Sequence, residues 1–147
     1  MKKIIKLSLI LISIFLFLRF TILSPAEGLI KEKLNLIEIE IKKIGYTPNW
    51  VVISEKRTDW ANNLLPLSAK KGKSYHLKGM AIDIFVFDVN GDNKFDIKDV
   101  KIIETANNTV ERKNPKLKGG FGTYMNKGCL NKHMIHLDTR GYHHRYY

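Results

Sequence analysis

Asp83 constrains this chain more than any other residue, because it lies inside the run Ala81-Ile82-Asp83-Ile84-Phe85-Val86-Phe87. A nearly unbroken apolar run of this length reads as a buried strand. A charged carboxylate inside such a strand is costly unless it is paired or coordinates a metal. The plain alternative is an aspartate bonded to backbone amides or to an arginine. His76 stands seven residues earlier. Seven residues of straight strand would separate the two by about 23 Å, and seven of helix by about 10 Å, so neither lets both touch one ion. The chain has to bend between them, and Gly79 is the residue suited to the bend.

A third piece lies near the C-terminus, in His133-Met134-Ile135-His136-Leu137-Asp138. In a strand, Met134, His136 and Asp138 share one face while Ile135 and Leu137 face the core. His76, Asp83 and His136 then supply two imidazoles and one carboxylate, the ligand count of a catalytic zinc site with its fourth position open. An ion held this way brings the pKa of water near neutrality and polarises a carbonyl. The competing reading of His136 is a satisfied surface histidine. The single cysteine, Cys129, excludes a disulfide framework and any multi-cysteine zinc site, and reads as an idle thiol.

The rest of the chain frames these residues. Its 147 residues, 44% of them hydrophobic, suit one domain with a core. Ile30, Leu34, Ile37, Ile41 and Ile44 repeat at four and three residues, which predicts a helix from Pro25 to about Ile44 with Gly45 as its C-terminal cap, while the alternation from Leu36 to Ile41 also permits a strand. Asn49 to Ser54 reads as a strand, Asn62 to Gly72 as a loop, Ile97 to Ala106 as a helix and Asn107 to Lys118 as a polar connection. Gly119-Gly120-Phe121-Gly122 reads as a glycine-rich turn, Met134 to Thr139 as a last strand, and His143 and His144 as a surface tail. Trp50 and Trp60 read as core or groove wall. The fold class is α+β, a small antiparallel sheet with a few helices.

Residues 1–26 stand apart from the domain at 27–147. Lys2, Lys3 and Lys6 precede an uncharged apolar run from Leu7 to Leu18, the layout of an export signal. Ser24-Pro25-Ala26 fits a cleavage site. Ser24-Pro25-Ala26-Glu27 equally fits a helix start with a capping box, which would leave the segment as an uncleaved membrane anchor. The net charge of +11 falls to +7 without these residues, with 21 basic against 14 acidic side chains. The remaining lysines are spread along the chain and not gathered around a recognition element, which argues against nucleic acid. A diffuse basic surface suits an anionic cell wall.

Ser74-x-His76-x-x-Gly79-x-Ala81-x-Asp83, followed by His136-x-Asp138, resembles the D-alanyl-D-alanine carboxypeptidase and Hedgehog-like zinc peptidase superfamily. Ile53-Ser54-x-x-Arg57-Thr58 and Gly119-Gly120-x-Gly122-x-Tyr124 match in the same order, and the resemblance covers roughly Val51 to Gly141. It implies that His76, Asp83 and His136 are zinc ligands. It also implies that Arg57 holds the substrate's carboxylate or the developing oxyanion, a task suited to a bidentate guanidinium. The implied substrate is a D-amino-acid-containing peptide of the bacterial cell wall, cut at an amide bond by an exported carboxypeptidase or endopeptidase.

One position departs from the pattern. Where these peptidases place Glu or Asp as general base, three residues before the last histidine, this chain has His133. Histidine can serve as a base near neutral pH, and Asp138 is the other candidate, though a role supporting His136 suits it better. A zinc-dependent binding domain without catalysis, for wall peptides or a protein partner, is the alternative function.

Directly after the strand, Asp88, Asn90, Asp92, Asp96 and Asp99 occupy positions 1, 3, 5, 9 and 12 of a segment that resembles an EF-hand or dockerin-type calcium loop. Asn93 stands where the sharp turn wants glycine, and asparagine is the next-best residue for a left-handed conformation. The competing reading of residues 88–99 is a turn that caps the following helix through Asp96.

Overall fold

The computed structural model describes residues 23–24, 28–64, 73–125 and 132–147. The export segment at 1–22, the cleavage or capping residues 25–27 and Cys129 lie outside the described residues. Among the described residues, no helix is long and apolar enough to cross a membrane.

The elements run β1 (Leu23–Ser24), α1 (Leu29–Lys43), β2 (Trp50–Ser54), β3 (Lys56–Arg57), α2 (Asp59–Asn63), β4 (Ala81–Val86) and α3 (Ile97–Lys113). A 3-10 turn (Pro115–Leu117), β5 (Gly120–Thr123), β6 (Met134–Asp138) and β7 (His144–Tyr146) complete the order. β2, β4, β6, β5 and β7 form one five-stranded sheet in that order, and β1 pairs with β3.

The core follows from period. Ile30, Leu34, Ile37 and Ile41 are buried on one stripe of α1, and Val100, Ile103, Ala106 and Val110 on one stripe of α3. Ile82, Ile84 and Val86 of β4, Ile135 and Leu137 of β6, and Phe121 of β5 meet them in a single cluster. By strand alternation the other face of β4 and β6 carries Asp83 and His136. The sheet is therefore apolar toward the helices and polar on its far side.

Several expectations are corrected. The sheet is mixed, because β7 runs parallel to β5; what reads as a tail is a fifth strand. The first helix starts at Leu29, with Ser24 in β1 opposite Lys56. It does end as expected: Gly45 has φ +88°, and its N–H and that of Tyr46 bond back to Lys42 and Ile41. α2 forms inside the segment expected as loop and leading into it, capped by the Thr58 hydroxyl. The glycine-rich stretch at 120–122 is strand, because Gly119 and Gly120 lie against Asp138 where a β-carbon would collide.

α3 runs seven residues past Ala106, through the expected polar connection. Asn107 and Glu111 are buried there, and Glu111 forms an ion pair with Lys33 at 2.7 Å. Buried charges persist when paired and hydrogen-bonded, which defeats a pattern read on apolar residues alone. Lys33 also donates to the Asp138 carbonyl at 2.8 Å, tying α1 and α3 to the end of β6.

Candidate metal centre

Register puts two of the expected ligands side by side. Asp83 pairs with His136 across β4 and β6, on the polar face. His76 comes from the turn before β4. There Gly79 has φ +66°, and its N–H closes back on the His76 carbonyl at 3.1 Å. The bend inferred from the seven-residue spacing is this turn. The Arg57 N–H also bonds to the His76 carbonyl, fixing the turn against β3.

His76, Asp83 and His136 are 3%, 5% and 8% exposed. One ligand atom from each lies within 4.8 Å of the others, and the trio could hold a metal ion. Among the described residues this is the one such group of three or more His, Cys, Asp or Glu.

The hydrogen bonds orient both imidazoles for this. His76 Nδ1 lies 2.8 Å from the Glu55 carbonyl, which can only accept, so Nδ1 carries a proton and Nε2 is the nitrogen that faces the cluster, 3.2 Å from Asp83 Oδ2. His136 Nε2 lies 3.2 Å from Asp138 Oδ2, leaving Nδ1 to face Asp83 at 2.7 Å and His76 Nε2 at 3.3 Å. A ligating histidine with its far nitrogen bonded to a carbonyl or carboxylate is the usual support of a metal site. Asp138 is itself fixed, accepting from the Gly120 N–H at 2.6 Å and from Arg140. The donor set and its support therefore fit a divalent ion.

The electrostatics point the same way. Burial pushes the Asp83 carboxyl up, but hydrogen bonds from His136 and His76 outweigh it and hold the group well below the usual carboxylate range. Burial disfavours a charged His136, yet Asp138 and Asp83 on its two sides raise its pKa to about 9. In the metal-free protein an imidazolium thus sits between two carboxylates, where a cation would otherwise be held. Asp138 is pulled down by His136, Arg140 and the Gly120 amide against the effect of burial.

Arg57 reaches the cluster. Its Nη2 bonds Asp83 Oδ2, and its Nε donates to Ser54 Oγ at 2.7 Å. His133 does not. Its Nδ1 bonds the Val86 carbonyl at 3.0 Å, and its ring stacks between Phe85 and Phe95 with centroids at 4.9 and 4.5 Å.

The oxygen side chains at 88–99 make the contacts of a turn and a helix cap. Asp88 accepts from the amides of Gly91, Asp92 and Asn93, and Asp92 takes an ion pair from Lys98 at 3.0 Å. Asn90 Oδ1 accepts from the Asp92 amide. Asp96 and Asp99 form a reciprocal cap at the start of α3, and Asp99 also takes the amides of Val89 and Asn90. Asn93 adopts φ +64°, the left-handed turn expected of it.

Tyr146 escaped the sequence reading. Its ring lies 6.1 Å from that of His136, and its hydroxyl meets that of Tyr124 at 3.3 Å. A signal was present in the Gly-x-Tyr spacing at 122–124, but only the pairing of β7 brings Tyr146 in. No family model, curated protein or solved structure matches this chain.

Proposed function

We propose that this chain is an exported zinc peptidase that cleaves amide bonds in D-amino-acid-containing cell-wall peptides. The observation that carries the reading is the convergence of His76, Asp83 and His136 from a turn and two strands into one buried, pre-oriented donor group. His76 Nε2, His136 Nδ1 and the Asp83 carboxylate would hold the ion. When bound, zinc supplies Lewis-acid polarisation of a carbonyl and an activated water. The Glu55 carbonyl and Asp138 hold the outer nitrogens and so keep His76 Nε2 and His136 Nδ1 turned inward. Arg57 stands beside Asp83 as the cation for a substrate carboxylate or developing negative charge.

The substrate class comes from the resemblance of Ser74-x-His76-x(6)-Asp83 and His136-x-Asp138 to the wall peptidases and their Hedgehog-like relatives, and the expected fold goes with it. The apolar segment before the domain is the support for export, with cleaved signal and retained anchor both compatible.

The binding-domain reading has its own observation. His133, at the position of the usual general base, is bonded to Val86 and clamped between two phenylalanines. Asp138 is committed to Arg140, which makes it a weak base.

The test joins metal analysis of the purified full chain with incubation on purified wall peptides. One zinc per chain with peptide cleavage supports the peptidase. Zinc without cleavage, in wild type and in His133→Glu alike, assigns the chain to binding. Iron in place of zinc would contradict the zinc assignment, since two histidines and a carboxylate also serve iron(II).

A further inference from the structure

Five residues form one row across the polar face of the sheet. Ser54 is the register partner of Asp83, Asp83 of His136, His136 of Gly122, and Gly122 of Tyr146. Arg57 stands at the Ser54 end of this row, bonded to both Ser54 and Asp83. Tyr146 stands at the other end.

Gly122 is what lets Tyr146 lean inward. With strands about 4.8 Å apart, two steps separate the backbones of Tyr146 and His136 by about 10 Å. Their ring centroids are nevertheless only 6.1 Å apart. A β-carbon at residue 122 would run into the Tyr146 ring. The ring therefore crosses β5 over a bare α-carbon and comes to rest near the ligand His136.

The strand that carries Tyr146 is anchored. Arg145 donates to the Gly119 carbonyl at 2.9 Å, to Asn108 at 2.7 Å and to Glu111 at 3.0 Å, and Tyr147 bonds Glu104. Tyr124 packs edge-on against Tyr146, with centroids at 5.9 Å and the two hydroxyls at 3.3 Å. Either hydroxyl can donate in that pair, and with Tyr124 as donor the Tyr146 hydroxyl keeps its own proton for an outside acceptor.

We propose that Tyr146 is a ligand-binding residue of the metal centre: its hydroxyl, positioned by Tyr124 and Gly122, donates a hydrogen bond to an anionic oxygen of the bound ligand. This rests on the reading that the trio holds a metal ion. It extends that reading by making the site two-sided, with a guanidinium at one end of the row and a phenol at the other. The ligand class it fits is an oxyanion: a carboxylate, a hydroxamate or a tetrahedral analogue of amide hydrolysis.

The test uses the full chain loaded with cobalt(II), whose visible spectrum reports the metal and its ligands, with acetohydroxamate as the probe. Tyr146→Phe is expected to hold cobalt with an unchanged spectrum and to bind acetohydroxamate about tenfold more weakly, as loss of a hydrogen bond to a charged group implies. Gly122→Ala, which displaces the ring, is expected to weaken the probe similarly. Tyr147→Phe, at the residue bonded to Glu104, is expected to match wild type. Equal probe affinity in wild type and Tyr146→Phe overturns the assignment. So does loss of cobalt in Tyr146→Phe, which would make the tyrosine part of the scaffold. A wild type that holds cobalt but takes no acetohydroxamate overturns the tyrosine role and leaves the trio standing. A wild type that holds no cobalt overturns both.

Discussion

At the scale of single residues, the protonation of His136 decides how the metal centre behaves. With its pKa raised to about 9 between Asp83 and Asp138, the metal-free ring is charged at neutral pH, and an incoming ion must displace the Nδ1 proton. Metal affinity is therefore expected to rise roughly tenfold per pH unit from 7 to 9 and to flatten above that. Titration with a competing chelator at several pH values measures it, and a flat profile would contradict the account. The same shift has a stability consequence of opposite sign. A folded-state pKa above the unfolded 6.5 stabilises the metal-free fold fully below pH 6.5, and that stabilisation disappears as pH rises through 9. The loss is on the order of 3 kcal/mol. The melting temperature of metal-free protein should fall across this window, and that of His136→Gln should not. Asp83→Asn removes the anion that holds both imidazoles and Arg57, so it is expected to abolish metal binding and to cost about 3 kcal/mol in urea unfolding.

Among the elements, α3 shows most clearly which parts of the fold the sequence makes legible. Its start was readable from Asp96, because a capping aspartate ahead of an apolar period is a local signal. Its last two turns were not, because Asn107 and Glu111 look like solvent-facing residues until Lys33 arrives from α1. β4 and β6 were legible from alternation and apolar run, and with them Asp83 and His136. β5 and β7 were hidden for a different reason. Glycines read as turn, and here they are strand because Asp138 and Tyr146 press against them from neighbouring strands. His76 and Asp83 needed only local spacing plus one bend, and Asp138 only its place two residues after His136, whereas joining His136 to Asp83 and bringing in Glu55 and Tyr146 takes long-range pairing. Asp99 belongs to this scale too. It accepts from Val89, Asn90 and Asp96 amides, so Asp99→Ala is expected to cost about 2 kcal/mol, read as a lowered urea midpoint. The loss should be equal with calcium and with chelator; a loss seen only with calcium would instead make 88–99 a calcium loop.

The molecule as a whole divides its work between the two faces of one sheet. The helix-facing side is apolar and makes the core, and the opposite side carries the row from Ser54 to Tyr146. Lys33 joins them, since its ammonium bonds Glu111 beneath and the carbonyl of Asp138, whose side chain holds His136. Lys33→Met is expected to destabilise the fold by about 3 kcal/mol, because Arg145 still partners Glu111 while the Asp138 carbonyl loses its donor. Everything functional in this account rests on the trio holding an ion. Elemental analysis of the purified full chain, beside His76→Ala, tests that most directly. One equivalent of zinc is expected in wild type and less than a tenth in the variant. A metal-free wild type, or equal zinc in both, would contradict it.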